Sequence, residues 1–116
     1  MMVLGAGYAE TLLEDWERRD DLQNVTLTNV VTSVSYAGLK AKNRDLTYKE
    51  VMLGAALGLE PTDQMWIVGA KRLVGVTPHR GDTITTTDGT VWTALSIKVK
   101  SFGDTLTHFE IIGRKQ

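Results

Sequence analysis

Apolar side chains recur along this chain at two different periods. Over residues 6–19, Ala9, Leu12, Leu13 and Trp16 fall at helical spacing while Glu10, Glu14, Asp15, Glu17 and Arg18 fill the other face. That pattern predicts an amphipathic surface helix with one buried stripe. Residues 24–35 are rich in valine and threonine, with Val25, Leu27, Val31 and Val34 set among polar residues, and predict a long strand. The doublet Val30-Val31 breaks the alternation and predicts a bulge, a twist or burial on both faces. Over 36–45 the pattern lapses into a polar, basic run that reads as a loop, the kind of segment on which function concentrates when a rigid scaffold holds it. Thr47 with Glu50 three residues later forms a helix-start signature, and Val51, Met52, Ala55 and Leu59 follow at near-helical spacing. Gly54 and Gly58 each cost about 1 kcal/mol relative to alanine inside a helix, so this helix is expected to be short. Pro61-Thr62-Asp63 ends it, residues 65–68 read as a buried strand, and 70–74 as a single turn leading to Pro78.

The last third carries the strongest local signal. Pro78-His79-Arg80-Gly81-Asp82-Thr83 leads into a short strand, Thr87-Asp88-Gly89 turns it, residues 91–97 run back, and a further strand follows. Glycine at such corners supplies positive φ, and aspartate bonds the backbone two residues on, so Asp82, Asp88 and Asp104 read as turn residues. The elements together predict a mainly β chain with one or two helices (α+β), a small antiparallel β-barrel or sandwich with an N-terminal helix. A single domain over 1–116 is expected, with a helical segment at 1–22 and a β-rich body at 24–113 that carries a loop at 36–46.

Composition narrows the function more than it names one. A chain of 116 residues supports one compact core. A formal net charge of -1 argues against a dedicated nucleic-acid binder, which usually carries a basic excess. With no cysteine there is no disulfide framework, thiol nucleophile or thiolate metal site. No apolar run approaches the roughly 20 residues needed to cross a bilayer, and no signal peptide is expected, so no membrane partner is expected and the sequon Asn24-Val25-Thr26 reads as chance. His79 and His108 lie in different segments without a companion cluster, so no metal site is expected. Gly5-Ala6-Gly7 lacks the preceding strand and third glycine of a dinucleotide fingerprint. Ser33, Ser35, Ser96 and Ser101 have no histidine nearby in sequence, and Glu14, Asp15, Glu17, Asp20 and Asp21 read as a solvated face. No catalytic residue, cofactor site or cofactor is expected.

The remaining candidates are surfaces. Trp66 and Trp92 fall in apolar strand patterns and read as core, whereas Trp16 fits either a core or an interface anchor. Tyr36 and Leu39, in the expected loop, join Trp16 as candidate interface residues. Lys40, Lys42 and Arg44 alternate with Ala41 and Asn43, so in an extended segment their charges project to one side. They are either part of a solvated loop or a contact for a polyanion or an acidic partner.

Over residues 65–114 the phrasing P-x-R-G-D-x-I-x-x-x-D-G-x-x-W-x-x-L resembles the C-terminal half of the head-tail joining proteins of tailed bacteriophages, the head-completion or stopper proteins of the neck. The matching positions are Pro78, Arg80, Gly81, Asp82, Ile84, Asp88, Gly89, Trp92 and Leu95, with Pro78, Gly81, Asp82, Asp88, Gly89 and Trp92 as structural hairpin positions. The resemblance implies a small β-barrel or sandwich with a helix, without cofactor or catalytic residues. It implies a homo-oligomeric ring, hexameric or dodecameric, located in the virion neck after synthesis in the host cytoplasm. Implied partners are portal and adaptor proteins, tail terminator or tail tube proteins, and the packaged double-stranded DNA, which Lys40, Lys42 and Arg44 would face in the channel. The apparent helix over 47–59 departs from a simple barrel. A monomeric β-barrel module that binds single-stranded nucleic acid or a peptide is the alternative. Such modules work through a positive groove with exposed aromatics.

Overall fold

A computed structural model of the chain describes residues 22–116. Six strands, β1 (Gln23–Thr28), β2 (Ser35–Asp45), β3 (Gln64–Gly69), β4 (Thr83–Thr86), β5 (Val91–Phe102) and β6 (Thr105–Lys115), close into a barrel in the order β1-β2-β3-β6-β5-β4. Every neighbouring pair is antiparallel. Closure gives every strand two neighbours, although β5 beyond the short β4 pairs with β6 alone. The expected mainly β barrel is therefore what forms; the helix expected over 6–19 lies outside the described residues.

Alternation along each strand decides what fills the barrel. Val25 and Leu27 of β1, Leu39 and Ala41 of β2, Trp66 and Val68 of β3, Ile84 of β4, Trp92 and Ala94 of β5, and Phe109 and Ile111 of β6 point inward and are buried. Trp66 and Trp92 meet edge to face, with ring centroids 5.7 Å apart and planes at 62°, a geometry that lets the positive edge of one ring meet the negative face of the other. The Trp66 indole N–H has no partner, a buried donor that costs about 1–3 kcal/mol of the stability the rings supply.

Between β2 and β3 stands α1 (Tyr48–Gly54), followed by a 3-10 turn (Ala55–Leu57). The expected capping box is present: the Glu50 backbone N–H donates to the Thr47 hydroxyl at 3.2 Å, and the Thr47 N–H donates to the Glu50 carboxylate at 2.8 Å. Leu59 packs against Gly54, where a Cβ would lie 2.1 Å from Leu59 Cδ1, and the 3-10 turn ends at Gly58, whose φ is 78°.

Two expectations fail. The strand expected over 24–35 stops at Thr28, and Val30 and Val31 are neither bulged nor doubly buried but exposed in a turn. Asn29 makes that turn, since its Oδ1 accepts from both the Val31 and Thr32 N–H groups at 2.9 Å. Residues 36–45 are not a loop. They form most of β2, paired with β1 on one side and β3 on the other, with an Ala37-Gly38 bulge opposite Thr26.

Candidate functional site

The hairpin residues behave as their types require, with one exception. Gly81 and Gly89 adopt φ of 93° and 89°, and Trp92 is buried in the barrel. Pro78 is buried in the connection before β4. Asp88 is exposed at the β4–β5 corner; the Thr86 hydroxyl and the Thr90 N–H donate to it and hold its carboxyl at about 2. Asp82 is more than a corner residue, being 1% exposed. Its Oδ1 accepts from the Val30 N–H at 2.9 Å and its Oδ2 from the His79 N–H at 2.8 Å. It ties the β1–β2 turn to the β3–β4 connection across one end of the barrel.

A second buried acid does the same work at the other end. Asp63, also 1% exposed, takes a bidentate pair from Arg114 at 2.9 Å for both contacts, together with the Glu60 N–H at 2.8 Å. Burial pushes its carboxyl up, but the Arg114 bonds, the Glu60 amide and the Arg114 charge together bring it below its ordinary value. This pair fastens β6 to the start of β3, and nothing in the sequence pattern pointed to it beyond an Asp-Gln step before a strand.

Strand β2 sets the geometry of the basic row. Because Leu39 and Ala41 point into the barrel, Lys40, Lys42 and Arg44 stand on its outer wall, one side as expected but on a rigid strand. They are not equivalent. Lys40 Nζ donates to Asn24 Oδ1 at 2.8 Å. Arg44 is committed to Glu50 through bonds of 2.7 and 3.0 Å. The Arg44 bond is the main reason the Glu50 carboxyl falls to about 2, and the same bond raises Arg44. The expected loop carrying these three cations is therefore corrected to a fixed row on a strand, with Lys40 bonded to Asn24 and Arg44 to Glu50.

Leu39, expected at an interface, is 1% exposed in the core, and Tyr36 is half-buried against that core. Trp16 lies outside the described residues. Most of the exposed apolar side chains are elsewhere, in two sets that sequence reasoning missed, with Val99 of β5 standing apart from both. Val30, Val31 and Val34 occupy the β1–β2 turn, and Val74 the β3–β4 connection that Asp82 fastens to it. Tyr48, Met52 and Leu53 occupy α1, at the far end of β2. Eleven residues of strand put the two sets roughly 35 Å apart. Tyr48, at 81% exposure, is an aromatic on this surface, whereas Trp66 and Trp92 are both committed to the core.

An open depression lined by Asn24, Thr26, Gly38, Thr85, Thr86 and Thr87 carries hydroxyl and amide groups but no ionisable side chain. No group of three or more potential metal ligands occurs among the described residues. His79 is exposed at the loop end. His108 is held below its usual value by burial, with Glu110 opposing and Lys100 reinforcing that shift. Compared with protein-family models, curated proteins and solved structures, the chain matches none of them.

Proposed function

We propose that this chain is a structural ring subunit of a tailed-phage neck, a head-completion or stopper protein that closes the DNA-filled head and offers a docking surface to the tail. The observation that carries the reading is the placement of exposed apolar side chains at opposite ends of a closed barrel. Val30, Val31, Val34 and Val74 at one end and Tyr48, Met52 and Leu53 at the other are two unlike surfaces. Unlike surfaces on one subunit suit a heterologous contact, which closes into a ring when the rotation between copies permits. The resemblance of the hairpin block adds to this in part: Gly81 and Gly89 hold turns and Ile84 and Trp92 hold core places, whereas Leu95 stands outside the core cluster.

Two double variants test the reading in the full chain. Val31→Asp/Val34→Asp disables one surface and Met52→Asp/Leu53→Asp the other. Because all four positions are exposed, each barrel should stay folded, within about 0.5 kcal/mol of the parent per substitution. The parent is expected to be a weakly associating monomer that forms rings at high concentration or with neck partners, seen by light scattering and negative-stain imaging. Each variant should fail to form rings, while an equimolar mixture should yield capped pairs through the one contact still intact. A stable dimer of the parent in every setting, or rings from either variant, refutes the proposal.

A further inference from the structure

Strand β5 outruns its neighbour β4. It holds 12 residues against 4, and the two pair only from Thr83 with Thr93 to Thr85 with Val91. Ala94 still bonds to that side, its N–H donating to the Asp82 carbonyl at 2.8 Å and its carbonyl accepting from the Gly81 N–H at 2.9 Å. From Ser96 to Ser101, β6 alone pairs with β5 among the described residues. The Lys100 carbonyl turns toward β6, where it accepts from the Thr107 hydroxyl at 3.2 Å, so alternation turns the N–H and C=O of Ile97 and Val99 to the open side. Ile97 and Val99 stand opposite Ile111 and Phe109, both fully buried, and their side chains therefore face the barrel interior. Ile97 packs against the core, but Val99 is 51% exposed, with no described strand beside it on the β4 side. An open backbone ladder next to an exposed, inward-facing valine is a seat for one more strand.

We propose that this edge takes an extended segment of a partner protein as an added strand, one that alternates acidic and apolar side chains. Strand addition draws affinity from main-chain bonds and specificity from alternate side chains. The apolar positions of the segment stand opposite Ile97 and Val99 and cover the open inner face. Its acidic positions follow from the outer face, to which Ser96, Lys98 and Lys100 project. Lys98 is exposed, Lys100 lies 3.7 Å from Glu110, and the register sets Lys98 opposite that same glutamate. One carboxylate thus serves two ammonium groups, and the edge stays positive. The same lysines disfavour a second copy as the occupant. Two β5 strands pairing antiparallel about Val99 would set Lys98 of each against Lys100 of the other, and like charges directly opposite are destabilising. Lysine on an open edge is a common guard against self-pairing, and an acidic segment turns that guard into a contact. The edge shares no residue with the two apolar sets assigned to ring contacts, so it stands whether or not the barrels form rings.

The test uses the full chain and a capped peptide of alternating glutamate and valine, about six residues long, the usual length of a strand. In an NMR titration this peptide should shift the amides of Ile97 and Val99 before any other and slow their hydrogen exchange at least tenfold. Two control peptides separate ladder from charge. Alternating lysine and valine should bind at least tenfold more weakly, and so should the glutamate-valine peptide N-methylated at its valines, which has lost the donors of the ladder. In the protein, Lys98→Glu changes an exposed side chain and leaves the barrel folded. It should weaken the glutamate-valine peptide at least tenfold and strengthen the lysine-valine one. No shift at Ile97 and Val99, equal binding of the charged peptides, unchanged binding after N-methylation, or an unchanged affinity in Lys98→Glu each overturns the proposal. Self-association of the chain through the same amides, without peptide, assigns the edge to a second copy and overturns it as well.

Discussion

Asp82 separates a corner residue from a structural clamp, and its substitution measures the difference. In Asp82→Ala the Val30 and His79 amides both lose a charged acceptor, at 2.9 and 2.8 Å. A hydrogen bond to a charged group contributes about 1.5–3 kcal/mol net. Both donors belong to surface segments, so water partly replaces the carboxylate, and the expected cost is about 2–4 kcal/mol. Asp82→Asn keeps the shape and one acceptor but turns an amide NH2 toward the other N–H, and should lie between parent and alanine variant. The backbone of Asp82 is not removed in either variant, so the bonds of its carbonyl to Ala94 N at 2.8 Å and of its amide to His79 O at 3.0 Å persist. Urea unfolding is the assay, where slopes of about 1–3 kcal/mol per molar convert such a loss into a midpoint shift on the order of 1 M or more. Hydrogen exchange should show lost protection at Val30 and His79 before any other amide of the barrel. Asp88→Ala, the same residue type at an exposed corner, should shift the midpoint clearly less. Equal shifts for the two aspartates, or an unchanged Val30 amide in Asp82→Ala, would refute the clamp.

Trp92→Ala should cost about 3–5 kcal/mol, as for other large buried aromatics, and abolish the near-ultraviolet circular dichroism of the Trp66–Trp92 pair; a loss within error would show that β5 is not phased with Trp92 inward. Glu50→Gln should lower stability at neutral pH by no more than about 1 kcal/mol, because its pair with Arg44 is solvent-screened. The folded carboxyl sits near 2 against an ordinary 4.5, so the parent's advantage is full above about 4.5 and is lost as pH falls toward 2. A difference between parent and variant that stays constant over that range contradicts the assignment. Asp63→Asn should weaken the grip on Arg114 and lower the urea midpoint, whereas Arg114→Lys, which keeps the charge but not the fork, should recover only part of it.

Where local chemistry and tertiary packing agree, the sequence was readable. The Thr47-Glu50 cap, the β3 strand, the Asp-Gly corner and the inward tryptophans all follow from rules that act within a few residues, and each forms in the barrel. The β1–β2 turn was misread because Val30, Val31 and Val34 have strong strand propensity. Asn29, whose side chain captures two amides ahead of it, outweighs three valines that find no wall to pack against. The buried acids were misread for a related reason. A turn aspartate and a clamp aspartate look alike in sequence, and only the long-range partners, Val30 for Asp82 and Arg114 for Asp63, distinguish them.

Strand β2 is the deepest of these cases, because its misreading carried a functional idea with it. Residues 36–45 contain no valine, isoleucine or threonine, and Gly38 interrupts them, so propensity alone gives a loop. What makes the segment a strand is a neighbour on each side, β1 and β3, whose backbone groups pair with it along its length. The period-2 signal was nonetheless present in Lys40-Ala41-Lys42-Asn43-Arg44, where alanine marks the inside and the charges the outside. On a strand those cations stand about 7 Å apart at fixed positions, so they cannot sweep toward a ligand as a loop could. Arg44 stabilises the α1 cap, Lys40 braces β1 through Asn24, and the row becomes part of a wall before it can be part of a channel. Any contact with phosphates through this row would have to compete with those bonds, which shifts the search for partner surfaces to the barrel ends, where apolar side chains stand exposed.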